Sequence, residues 1–187
     1  MGLTAQIIFI DEAYIKAYSH IDGSVDSKDM LPSIIQAQDS QIQPILGTDL
    51  YNDLKNRIKT DTLLTTHETL LNDYVRMATL KWFLVHFYPY LQGKILNGTI
   101  GTRNVDSITT FSQQEVERLV SIERTNAQFY TERLIAYLRE NASLLFPEYS
   151  SNSGADMIPE TSTYYDSGLT ISGNKKGNLK NWNCNGR

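Results

Sequence analysis

Two polar tetrads, Thr65-Thr66-His67-Glu68 and Ser112-Gln113-Gln114-Glu115, each stand before a long run in which apolar residues recur every three or four positions. The pattern is that of a helix capping box, in which a hydroxyl and a carboxylate satisfy backbone N–H groups at a helix start. It predicts one long helix from Thr65 to about Tyr90 and another from Ser112 to about Ala142. On the first, Leu70, Tyr74, Met77, Leu84, Val85 and Tyr88 share a stripe with Lys81 at its centre. On the second, Val116, Leu119, Val120, Ala127, Tyr130, Leu134 and Leu138 share a stripe with Glu123 at its centre. If the helices run antiparallel, residue 91 lies near 112 and Lys81 meets Glu123. Such a pair adds little net stability but fixes how the helices seat. No pocket motif surrounds Lys81, so it reads as a seating residue rather than a catalytic lysine.

The rest of the chain fits around this pair. Asp11 caps a short helix ending near Ser19, with Ile10 and Ile15 inward, and a polar linker from Asp22 to Lys28 follows. A second helix is expected from Asp29 to Leu46, bent by Pro44 and stopped by Gly47. Its inner face would carry Leu31, Ile34, Ile35, Ile42, Ile45 and Leu46, with Gln38 in the middle as a buried amide bonded to a neighbouring helix. Thr48 is the expected cap of a third helix to about Lys59, with Leu50, Leu54 and Ile58 inward. Between the long helices, Gly93 to Phe111 reads as an irregular excursion or a small hairpin, Lys94–Leu96 against Thr99–Gly101 around Asn97-Gly98. The fold class is therefore mainly α: about five helices with a long antiparallel pair, as a body over residues 1–147. Residues 148–187 form an extended polar arm.

The fifth helix carries a second apolar line, Ile122, Phe129 and Ala136, spaced by seven and facing away from the first. In a monomer that line has nothing to bury against; in a ring or bundle it is a subunit contact.

The arm is built from Ser, Asn, Gly and Thr and holds too few apolar groups for a core of its own. Ordering it requires burial on something else, expected to be other chains, with Tyr164, Tyr165 and Trp182 as anchors. Lys175, Lys176, Lys180 and Arg187 make its end basic. They suit phosphate, or an acidic partner such as a neighbour's residues 1–53, which hold eight acids against Lys16 and Lys28. That acidic third argues against a nucleic-acid-binding face there.

Several chemistries have no counterpart. There is no Gly-rich phosphate loop, G-x-S-x-G, H-E-x-x-H or C-x-x-C. His20, His67 and His86 lack metal-ligand spacing, so neither a metal nor a cofactor is expected. Cys184 is the single cysteine. Met1–Ile10 lacks the basic region and cleavage pattern of a secretory leader, and the longest apolar run, Trp82–Leu91, spans about half a bilayer. The expectation is a non-enzymatic protein of a cell interior or a virion, without a membrane partner.

The segments Leu31-Pro32-Ser33-Ile34-Ile35-Gln36-Ala37-Gln38 and Ile42-Gln43-Pro44-Ile45-Leu46-Gly47-Thr48-Asp49-Leu50-Tyr51 resemble phage head–tail connector proteins. So does Tyr137-Leu138-Arg139-Glu140-Asn141 leading to Phe146-Pro147-Glu148-Tyr149. The resemblance covers roughly residues 9–149 and is to the adaptor or ring proteins of crAss-like tailed phages; the arm lies outside it. It implies a ring, commonly dodecameric, beneath the portal at the head–tail junction of the virion. Such a ring meets the portal above and a tail or second ring protein below, and DNA passes through its channel without specific binding. The subunit would be made in the host cytoplasm. Two other classes stay open on the residues alone: a stand-alone helical ligand-binding or regulatory domain, and a nucleic-acid-binding protein using the basic C-terminus.

Overall fold

A computed structural model describes residues 6–21, 25–96, 99–102, 112–150, 153 and 156–160. The order is α1 (Glu12–Tyr18), α2 (Ser27–Ala37), α3 (Gln43–Thr60), α4 (Thr65–Leu70), α5 (Arg76–Gln92), β1 (Gly93–Leu96), β2 (Thr99–Thr102), α6 (Gln113–Leu145) and α7 (Pro147–Ser150). π-turns at Gln38–Ile42 and Leu71–Val75 join α2 to α3 and α4 to α5 without a break in the helical path. The expected fold class holds: a mainly helical bundle whose long antiparallel pair is α4–α5 against α6. The strands pair antiparallel with Lys94 opposite Gly101, Ile95 opposite Ile100 and Leu96 opposite Thr99, which is the hairpin that Asn97-Gly98 implies.

Local chemistry sets most helix ends. Asp11 accepts from the Tyr14 amide at 2.9 Å and opens α1. The Ser112–Glu115 capping box forms, and α6 runs 33 residues to Leu145, beyond the expected end near Ala142. The box expected at Thr65 does not form. Leu64 takes the cap position, and the Thr65 carbonyl, already inside the helix, accepts from the Thr69 hydroxyl. The second helix likewise starts at Ser27 rather than Asp29, because Asp26 caps it through the Lys28 amide at 3.1 Å.

Two residues assigned inward by phase face outward instead. Leu31 is exposed; Met30, Ile34 and Ala37 point inward in its place. The π-turn at Gln38–Ile42 explains this, because its extra residue rotates α2 by one position relative to Ile42, Ile45 and Leu46. The same turn accommodates Pro44, whose ring would clash in a regular helix. Leu119 on α6 is exposed as well, and lies beside Ile122 and Phe129.

The core has two lobes that meet at Trp82. One gathers Leu46, Leu50, Leu54, Leu70, Val75, Leu134, Leu138 and Phe146; the other gathers Ile15, Met30, Ile34, Leu80, Phe83 and Phe87. Gln38 is buried between helices, as expected of an amide at that position. Its Oε1 accepts from the Phe9 amide at 2.9 Å, and its Nε2 donates to Tyr51 Oη at 3.0 Å and to the Ile7 carbonyl at 3.1 Å. It thereby ties the N-terminal segment to α3.

The helical path breaks inside α3, at Gly47, with φ 72° and ψ 157°, a region only glycine enters without strain. In an unbroken helix the Thr48 amide would bond to the Pro44 carbonyl, and the break separates them. Residues 156–160 supply both replacements. Thr48 N donates to the Met157 carbonyl at 3.0 Å, and Glu160 N donates to the Pro44 carbonyl at 2.9 Å. The Thr48 hydroxyl, expected to cap α3, accepts instead from the Met157 amide at 3.0 Å. Ser153 adds two bonds to the Asp49 carboxylate, at 2.6 and 3.2 Å. So the expectation that the arm packs on other chains rather than its own body fails for residues 153 and 156–160. Two separated backbone groups at a helix break need partners, and this strap provides them.

Candidate functional site

Among the described residues, the outer face of α6 carries a line of exposed apolar side chains. Ile122 is 49% and Phe129 61% exposed, and Ala136 is exposed on the same line. The opposite face of α6 is already committed to the core through Val116, Ala127, Leu134 and Leu138. Leu119 extends the outward line by a turn, an addition that the stripe analysis missed. Beside it, an open cavity of about 480 Å³ is lined by Tyr14, Tyr18, Arg76, Tyr130 and Arg133, among others. The Arg76 guanidinium lies 4.1 Å from the Tyr14 ring centroid, and the Arg133 guanidinium 4.8 Å from that of Tyr74. Phe129 meets the edge of Tyr130, which joins the apolar line to this aromatic and cationic groove.

The structure brings Lys81 and Glu123 together. Lys81 Nζ lies 3.1 Å from Glu123 Oε2, with 18% and 13% of the two side chains accessible. One position along α5, Trp82 Nε1 donates to Thr131 Oγ1 at 2.9 Å. The Tyr74 and Tyr137 rings stack at 4.1 Å further down. These three contacts set the register of the long pair. His86, also on α5, is half-buried, and burial first and the nearby Arg124 second hold its pKa below the usual histidine range.

A further cluster forms where α3, α4 and α7 meet. One ligand atom each of Asp53, His67 and Glu148 lies within 4.8 Å of the others. His67 is 2% exposed, and Phe146 packs edge-on to its ring at 5.3 Å. Asp53 Oδ2 accepts from Arg57 Nε at 2.5 Å and lies 3.5 Å from His67 Nε2. Nothing in the sequence announces this cluster, since its members are 14 and 81 positions apart.

The arm residues Tyr164, Tyr165, Lys175, Lys176 and Trp182 lie outside the described residues. Among the described residues, no helix is long and apolar enough to cross a membrane.

A helical body with an antiparallel pair, a short hairpin and a strapped helix break is the class these features define. The chain belongs to the DUF6712 family, a family of unknown function, which matches residues 42–157. That span runs from the π-turn before Gly47 to the strap at Met157. No curated protein and no solved structure matches the chain.

Proposed function

We propose that the protein is a structural, non-catalytic subunit of a ring at the head–tail junction of a tailed phage. Copies of the chain meet laterally, the portal lies on one side and a tail or second ring protein on the other, and DNA passes through the channel. The observation that carries this reading is the outer face of α6. A rigid helix of 33 residues holds Leu119, Ile122, Phe129 and Ala136 outward while its other side fills the core. The adjoining Tyr14, Tyr130, Arg76 and Arg133 are of the residue types enriched at protein interfaces. The connector-like segments around Gln38, Gly47 and Phe146 support the same reading. The packing roles of Gln38 and Phe146 agree with it, because a ring subunit has to be a stiff body. The copy number implied by the resemblance is twelve.

The test is the size and shape of the purified protein and of the particle containing it. A closed cyclic ring on the portal axis is the expected result. A chain that stays monomeric at high concentration, and lies off that axis in the particle, overturns the proposal in favour of a stand-alone helical domain. Salt-sensitive retention of DNA by the free protein would favour the basic C-terminus as a nucleic-acid grip.

A further inference from the structure

We propose that Asp53, His67 and Glu148 form a binding site for one divalent transition-metal ion, such as Zn²⁺, which bolts the C-terminal turn α7 to α3 and α4. Three potential donors from three separate elements, one imidazole and two carboxylates, converge within 4.8 Å. Donor atoms around a bound zinc ion stand about 3.3 Å apart, at Zn–N and Zn–O lengths of about 2.0–2.2 Å. Small side-chain rotations close the difference.

The independent observation is His67. Its side chain is 3% accessible, and its Nε2 points into the cluster while making no hydrogen bond. A buried imidazole nitrogen without a bond is costly unless a ligand completes it. The other ring nitrogen, Nδ1, lies 3.4 Å from Thr66 Oγ1. With the proton on Nδ1 facing that hydroxyl, the Nε2 lone pair faces the carboxylates, the tautomer a metal requires.

Arg57 is the built-in competitor. Its Nε holds Asp53 Oδ2 at 2.5 Å, so a metal ion must share that carboxylate or take its other oxygen. This makes the site testable by substitutions with opposite signs. Removing a metal donor weakens binding, whereas removing the competing cation leaves it intact or tightens it.

The experiment uses the full chain after chelator treatment, titrated with Zn²⁺ by calorimetry and with Co²⁺ by visible absorption. One equivalent of each is expected to bind, with the weak bands of nitrogen and oxygen ligands and no thiolate charge-transfer band. Glu148→Gln and Asp53→Asn should each weaken Zn²⁺ binding by about tenfold or more, and Arg57→Gln should not weaken it. Glu148 is only partly buried, so its variant folds even if substitutions at His67 do not; helical circular dichroism checks this. Absence of stoichiometric binding, or equal affinity in the wild type and Glu148→Gln, overturns the proposal. Loss of binding in Cys184→Ser would place the metal elsewhere and overturn it as well.

Discussion

At Gly47 a single missing Cβ decides whether the strap can seat. A Cβ built there would lie 2.5 Å from Pro159 Cγ, on a backbone at φ +72° that side-chain-bearing residues rarely adopt. Gly47→Ala should destabilise the protein by about 2–4 kcal/mol in urea unfolding, combining backbone strain with the clash. In a chain ending at Ser150 the clash is gone and only the strain remains, so the penalty should shrink. Lys81 and Glu123 give a second residue-scale outcome. Glu123→Ala leaves a half-buried ammonium without its carboxylate and should cost about 1–3 kcal/mol, while Lys81→Met with Glu123→Leu should cost less than the single change. His86 gives a third. Its folded pKa lies below the unfolded value of about 6.5, so as pH falls through that value the unfolded chain takes up more protons and stability drops. His86→Gln should flatten this acid-side slope in thermal melts run across about pH 7 to pH 5.

At the scale of elements, the outer line of α6 predicts a separation of assembly from folding. Phe129→Glu should abolish self-association while leaving helical content and the midpoint of unfolding nearly unchanged, because Phe129 contributes little to its own core. Sedimentation and circular dichroism on the same sample check both halves. The register of the long pair was legible from the sequence, because Lys81 and Glu123 interrupt apolar stripes and both helices keep regular phase near them. Phase failed where the helix is not regular. The π-turn at Gln38–Ile42 adds a residue and turned Leu31 outward, and no local signal marks that turn except the proline after it. The box at Thr65 did not form because the helix starts one residue earlier, with Leu64 at the cap and Thr65 already inside it. The Asp53–His67–Glu148 cluster depends on where α7 folds back against α3, information that exists only once the core has assembled.

At the scale of the whole molecule, the body does not end with α6. Tyr149 is buried, and the strap beyond it satisfies the broken ends at Pro44 and Thr48. A chain ending at Ser150 should therefore be less stable than one ending at Glu160, by about 1–2 kcal/mol after the ordering cost of the strap is subtracted. Chemical denaturation of the two truncated chains measures the difference directly.

The strap also has a mechanical consequence. A pull on the chain beyond Glu160 first meets the bond to Pro44 and then the two bonds between Met157 and Thr48, before it can reach Tyr149 and the core. Tension is thus delivered to the corner at Gly47 inside α3 rather than to the end of α6. The strap should therefore yield under load before the long helix pair loses its register.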